Sequence, residues 1–441
     1  MRNKIKSIGW ALIFLCVAAI ASAQDPFENC VQGVQSSGSL YLICHVPDAD
    51  WNGSLVVWAH GFQDYDPEPP EIPFNQLSLG DNVYMPFLVN GLGFDFAANS
   101  YSKKGLAVVE GSNDILDLVE IYTQSFGPPE HVYLVGASEG GIITALLVEQ
   151  NPDVFRAGLA LCGPVGDFPY QINYLGDARV TFQYFFPGVL PNFSCSGNQV
   201  SIEDWCEDWF DPAENPSNNW DICFEEKIAP VLIDPANRAR LSQWLQVANI
   251  AYDPADFLAS VKKSANDVLR YSMLNLKDSV KTLKGFPFDN KRKWYRGSDK
   301  DLRLNLLVKR CRANAGAVLE MKTHYNTSGS LQHPLITMHT RLDQQVPYIH
   351  ELFYSWKTFF QGSFLSKHIN LPVDRYGHCN FTLEEALFSF SLMLLYAGDL
   401  DLLAGVGTVL QGSRLEDFEQ MAAEYGLPYT TVGGRLRALL K

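Results

Sequence analysis

Residues 131–150 read HVYLVGASEGGIITALLVEQ: an apolar run from Val132 to Val135, the turn Gly136-Ala137-Ser138-Glu139-Gly140, and then a series of good helix formers. A strand that must give way to a helix within five residues needs a sheet to leave and a helix that packs straight back on it. Small residues stand on both sides of Ser138 because a Cβ close to so tight a turn would clash with the neighbouring strand or helix. Such a turn exposes the serine. The helix that begins at once aims its unpaired N–H groups and the positive end of its dipole at the hydroxyl. The Glu139 amide thereby becomes a candidate oxyanion donor. A G-x-S-x-G pentapeptide arises easily by chance in a chain this long, or marks no more than a Gly-rich turn. Its place between strand and helix makes Ser138 a candidate nucleophile.

The elements around this stretch alternate. Residues 39–44 and 55–59 read as strands, the second an unbroken apolar run of the kind buried on both faces. It ends in His60-Gly61-Phe62. Residues 65–73 are rich in proline and acids and read as a surface loop. A helix is expected over 84–90 and a strand over 94–98, which opens into the loop holding Tyr101. A helix with one apolar face is expected over 114–126, and a strand over 154–162 that Gly163-Pro164 breaks. The fold class expected is α/β, a mostly parallel sheet with helices on both faces.

The alternation stops near Asp167 and returns at Leu335. About 165 residues intervene, far more than an ordinary connection holds, so the segment must fold as a subdomain. It carries many of the aromatics and four cysteines, and residues 235–284 have helical spacing with Pro254 as a boundary. We expect a disulfide-tied, mainly helical cap over 167–331, a core made of 24–166 and 332–400, and a helical tail over 401–441. Within the second part of the core a strand is expected at 335–340, a helix near 349–360, a strand near 367–372 and an apolar helix over 383–396.

The chain opens with Arg2, Lys4 and Lys6, an apolar run over 10–21 and Ala21-Ser22-Ala23, the order of a signal peptide and its cleavage site. The run is too short to span a membrane, and the residues before Cys16 form no lipid-attachment box, so no membrane anchor is expected. Removing 1–23 takes away three basic residues and no acids, which lowers the formal charge from −15 to −18. Such a surface repels nucleic acid and anionic lipid. Eight cysteines remain, an even number that reads as disulfides in an exported, periplasmic or extracellular protein, with Cys30 and Cys44 as the first pair across an N-terminal hairpin. No cysteine or histidine spacing suggests zinc. The acidic stretch 203–211 is a solvated loop or, less simply, a site for calcium or for the amine of a cationic substrate.

A serine hydroxyl needs a positioned base, and the base needs an acid to fix its tautomer. Asp343 follows the strand at 335–340, and His378 lies in a Gly-containing loop after the next strand. The order Ser138, Asp343, His378, each just past a strand's C-terminal end, brings all three to one rim of such a sheet. Asp167 and Asp374 are the rival acids. His339, inside a strand, and His333 and His350 are read as structural. On these residues the chain resembles the α/β-hydrolase fold superfamily over about 39–167 and 335–397, with a cap inserted before the strand that bears the acid. The resemblance implies Ser138 as nucleophile, His378 as base and Asp343 as acid. It also implies an oxyanion hole from the Phe62 and Glu139 amides, a pocket near His60, Gly61 and Tyr101, and no cofactor or metal. Cys162 and Cys379 sit at strand ends flanking the site and pair with each other or stay apart. In the tannase and feruloyl esterase type a cysteine beside the serine joins one beside the histidine; here residue 137 is alanine. The function expected is hydrolysis of a carboxylic ester, small or polymeric. Peptide or amide hydrolysis with the same triad is the second reading, and a binding protein on a hydrolase scaffold the third.

Overall fold

In a computed structural model, residues 30–399 are described apart from 67, 80–82, 197 and 365, together with 27, 402, 420 and 421. The expected signal segment, and the expected helical tail but for 402, 420 and 421, lie outside the described residues.

Eight strands form one sheet: β1 (Cys30–Val34), β2 (Leu40–Cys44), β3 (Ser54–Ala59), β4 (Asp95–Asn99), β5 (His131–Ala137), β6 (Ala157–Leu161), β7 (Leu335–Leu342) and β8 (His368–Tyr376). Their spatial order is β1-β2-β4-β3-β5-β6-β7-β8. The first two pairings are antiparallel and the rest parallel. The fold is therefore the mostly parallel α/β sheet expected.

The apolar run of β3 is explained by its position between β4 and β5, where all six residues are buried. Val56 and Trp58 face one layer of the core, with helices α1 (Met85–Gly91) and α8 (Leu383–Ala397). Leu55, Val57 and Ala59 face the other, with α2 (Val108–Phe126) and α3 (Glu139–Gln150). The period of two is thus present even where both faces are apolar. Helix α3 has no polar face because ten of its residues, Glu139 to Val148, are buried. Thr382 and Glu385 close a capping box at the start of α8, and a cap of this kind contributes about 1 kcal/mol.

Between Asp167 and Leu335 the chain is helical and has a core of its own, with Phe182, Trp220, Trp244 and Tyr295 all buried. The longest helices here are α4 (Phe168–Phe185), α5 (Arg238–Ala248) and α6 (Phe257–Arg270), with α7 (Ile349–Phe360) following in the sheet region. Pro254 lies in the break between α5 and α6. Disulfides join Cys195 to Cys311 and Cys206 to Cys223 within this segment, Cys30 to Cys44 across the β1–β2 hairpin, and Cys162 to Cys379 beside the sheet's C-terminal rim.

Candidate active site

Ser138 stands between β5 and α3 with φ +57°, a left-handed conformation that a serine holds only when its surroundings impose it. What imposes it is close packing: a Cβ on Gly140 would overlap the Ala59 carbonyl, and one on Gly136 would overlap the Gly140 carbonyl. The Ser138 amide donates to Leu161 O on β6 at 2.8 Å, which ties the turn to the neighbouring strand.

His378 comes from the loop after β8. That loop is fastened to the end of β7 by Gly377 N donating to Leu342 O (3.2 Å) and Thr340 Oγ1 donating to Gly377 O (2.6 Å). His378 Nε2 lies 2.8 Å from Ser138 Oγ, and its Nδ1 lies 2.7 Å from Asp343 Oδ2. Asp343 directly follows β7; its other oxygen accepts from the amides of Gln345 (2.8 Å) and Val346 (2.9 Å). Burial pushes the Asp343 carboxyl up, but the His378 charge and hydrogen bonding from His339 and His378 outweigh it, so the group lies below the usual carboxylate range. An ionised Asp343 places the His378 proton on Nδ1, leaving Nε2 to accept one from Ser138. Three residues spread over 241 positions of sequence therefore meet at the C-terminal ends of β5, β7 and β8.

The rival acids have other partners. Asp167 caps α4, accepting from Tyr170 N at 3.1 Å. Asp374 is exposed and pairs with Arg341 at 2.7 Å.

The end of β3 lies against the serine, since a Cβ on Gly61 would be 3.2 Å from Ser138 Cβ. Gly61 N donates to Gln76 Oε1 (2.7 Å), and Gln76 Nε2 reaches Phe62 O at 3.5 Å. Gln76 thus holds the His60–Gly61 and Phe62–Gln63 peptide groups on either side of the Phe62 amide, which donates to no protein acceptor among the described residues. Glu139 begins α3, so its N–H has no intrahelical acceptor. No sequence signal marked Gln76, which stands in a short helical turn 14 residues beyond Phe62.

His60 and Tyr101 are not in the pocket. They are buried beneath the strand end with rings stacked at 3.8 Å, Tyr101 Oη donating to His60 O at 2.9 Å. Burial lowers His60 to about 4 and keeps it neutral. Gly61 touches the serine but does not line the cavity, whose walls on this side are Phe62, Leu106, Glu139 and Ile142. The pocket expected around His60, Gly61 and Tyr101 is therefore displaced outward, because an aromatic ring fills the space under the strand end.

The cavity beside Ser138 has a volume of about 110 Å³ and is overwhelmingly apolar. Its walls from the segment between Asp167 and Leu335 include Leu175, Phe193, Tyr271 and Phe288. At roughly 10–15 Å³ per water-sized sphere this is room for several heavy atoms. Glu139 is its one carboxylate; burial pushes the group up to about 8, against a hydrogen bond from Ala107 N at 2.9 Å. The acidic residues Glu203, Asp204, Glu207 and Asp208 are exposed and do not line the cavity. Among the described residues the atoms of Cys162, His378 and Cys379 converge closely enough for a metal, but both sulfurs are in a disulfide.

Residues 89–170, which include the strand, turn and helix around Ser138, match the model of the prolyl oligopeptidase family. No curated protein sequence matches the chain. Similar solved structures include an acylaminoacyl peptidase from Pyrococcus horikoshii (11% identity, 84% of this chain, TM-score 0.39), of which this chain spans 41%. Others are feruloyl esterase B from Aspergillus oryzae (14% identity, 80% of this chain and 74% of that one, TM-score 0.40) and a monoacylglycerol lipase from Paleococcus ferrophilus (13%, 81% and 98%, 0.38). The parallel sheet and the serine turn between β5 and α3 give the chain the α/β-hydrolase fold, with residues 89–170 similar to the prolyl oligopeptidase family.

Proposed function

We propose that the protein is an exported serine esterase. Ser138 Oγ attacks the carbonyl carbon of a carboxylic ester as His378 Nε2 takes its proton. The oxyanion is held by the Phe62 and Glu139 amides, and the alcohol leaves with the proton returned by His378. Water, activated by the same imidazole, then attacks the acyl-enzyme and releases the acid. Asp343 keeps the ring in the required tautomer and offsets its charge. The observation that carries this reading is the hydrogen-bonded chain Ser138–His378–Asp343 opening on an apolar cavity.

The cavity favours a neutral ester with an apolar acyl or alcohol part, because its walls offer no cation for a carboxylate and no ionised acid at neutral pH for an amine. The four disulfides fit an oxidising compartment, and the basic start, apolar run and Ala21-Ser22-Ala23 support export. A peptidase with the same three residues is the second reading, and the match of residues 89–170 to the prolyl oligopeptidase family favours it. A panel of p-nitrophenyl esters set against the matching anilides separates the two. Ester turnover with anilides at least a hundredfold slower is expected; anilides cleaved as fast as esters would give the second reading.

A further inference from the structure

Asp343 has a second imidazole neighbour. His339, four residues earlier on β7, is fully buried, and its Nε2 lies 3.2 Å from Asp343 Oδ2, the oxygen that also meets His378 Nδ1. The same nitrogen donates to Val346 O at 2.9 Å. His339 Nδ1 lies 3.2 Å from Glu351 Oε1 on α7, and Glu351 Oε2 accepts from Thr337 Oγ1 (2.6 Å) and from Asn370 Nδ2. Both ring nitrogens therefore face acceptors only, a setting that a doubly protonated imidazole satisfies and a neutral one does not.

The surrounding titratable groups agree. His350 on α7 and His368 on β8 are pushed by burial to about 3 and about 4, so both are neutral. Burial acts the same way on His339, but hydrogen bonding to Asp343 and Glu351 overrides it and raises the ring to about 10. Glu351 is likewise held below its ordinary range against burial, by His339 first. Lys357, further along α7, acts on His350, and Tyr174 and Tyr376 face Asp343 as neutral phenols. The buried set is thus one cation between two anions. Its net charge toward His378 is that of a lone carboxylate.

We propose that His339 and Glu351 are positioning residues for the triad: the imidazolium pins Asp343 Oδ2 toward His378, and Glu351 supplies the counter-charge that keeps the imidazolium in the core. A buried ion cluster of this kind adds little stability over apolar packing, so its value lies in what it orients. The inference rests on the esterase reading of Ser138, His378 and Asp343.

The test is a charge cycle on purified protein, reading kcat, KM and the acid limb of kcat/KM with a p-nitrophenyl ester, beside wild type and Ser138→Ala. His339→Gln leaves two carboxylates facing each other: with both ionised, or with Asp343 protonated, the acid limb moves up by about one pH unit or more, and with Glu351 protonated for want of its counter-charge the limb stays in place. With the restraint lost, kcat falls roughly tenfold to a hundredfold and KM changes less than twofold. Adding Glu351→Gln removes the surplus charge and returns the acid limb to within about 0.3 unit of wild type, while kcat stays low. An undiminished kcat in folded His339→Gln, or an acid limb that moves there and that the second substitution does not return, overturns the proposal. Should His339→Gln alone fail to fold, the double variant decides, and an undiminished kcat there overturns it. A wild-type protein that neither turns over esters nor reacts with a fluorophosphonate refutes the esterase reading and this inference with it. Wild-type turnover with His339→Gln indistinguishable from it refutes this inference alone.

Discussion

Cys379, the residue after His378, is bonded to Cys162, the residue after β6, across 217 positions of sequence. Both cysteines have left-handed backbones, φ +50° and +46°, so the bridge joins two turns already bent toward each other at the rim that carries Ser138. The His378 loop is thereby pinned on one side by this bond and on the other by its hydrogen bonds to β7.

Replacing both cysteines by alanine removes the pin. Stability should fall by about 2–4 kcal/mol, the usual contribution of a native disulfide. Loosening the base should lower kcat roughly tenfold with KM little changed. Thermal melting and ester kinetics on Cys162→Ala/Cys379→Ala check this. Unchanged kcat in a protein that melts lower would make the bond purely structural.

Gln76 makes a separate prediction, because its side chain hydrogen-bonds to the backbone at Gly61 and Phe62. In Gln76→Ala the Phe62 amide, proposed to hold the oxyanion, loses the supports on either side of it, and kcat should drop on the order of 10- to 100-fold. The fold should be retained and the rate of reaction with a fluorophosphonate should fall in parallel. A variant with wild-type kcat would remove Phe62 from the oxyanion site.

Glu139 links the site to pH-dependent stability. Its folded pKa is raised to about 8 by burial, above its usual 4.5, so between those values the folded protein holds a proton that the unfolded chain has lost. The contribution is fully present below about 4.5 and is lost as pH rises to about 8. Glu139→Gln should therefore gain in melting temperature relative to wild type as pH climbs from 5 to 8, by the equivalent of a few kcal/mol at most, and keep a constant advantage above. A difference independent of pH would mean that Glu139 is ionised throughout.

The cavity's size is also testable. Leu175→Trp adds an indole to a wall of the roughly 110 Å³ space. Esters with a bulky apolar part should lose kcat/KM by about 10- to 200-fold, while acetate esters change little. Equal losses on all chain lengths would place the substrate elsewhere.

The parts legible in the sequence are those that rest on neighbouring residues. Gly136, Ala137 and Gly140 around Ser138 are local sterics, and the strand–helix alternation of residues 39–167 is local periodicity. The rim positions of Asp343 and His378 could be read because each follows a strand and the sheet is parallel, which converts chain order into place. What escaped depends on register between distant segments. His339 looked like an ordinary strand residue until Glu351, one helix later, came to face it. Gln76 reaches the β3 end from a loop without periodicity. Helix α2 starts at Val108, ahead of the expected start at 114, because Gly111 and Ser112 interrupt the apolar face by which a helix is recognised. The rings of His60 and Tyr101, expected near the pocket, stack on each other below the strand end instead.

The central claim is that Ser138 is a nucleophile activated by His378. The most direct measurement is fluorophosphonate labelling of the protein with the adduct located by peptide mass spectrometry, run beside Ser138→Ala and His378→Ala. The account predicts one adduct, on Ser138, absent in the first variant and slowed at least about a hundredfold in the second. An adduct on another residue, or labelling of Ser138 at an equal rate without His378, would contradict it.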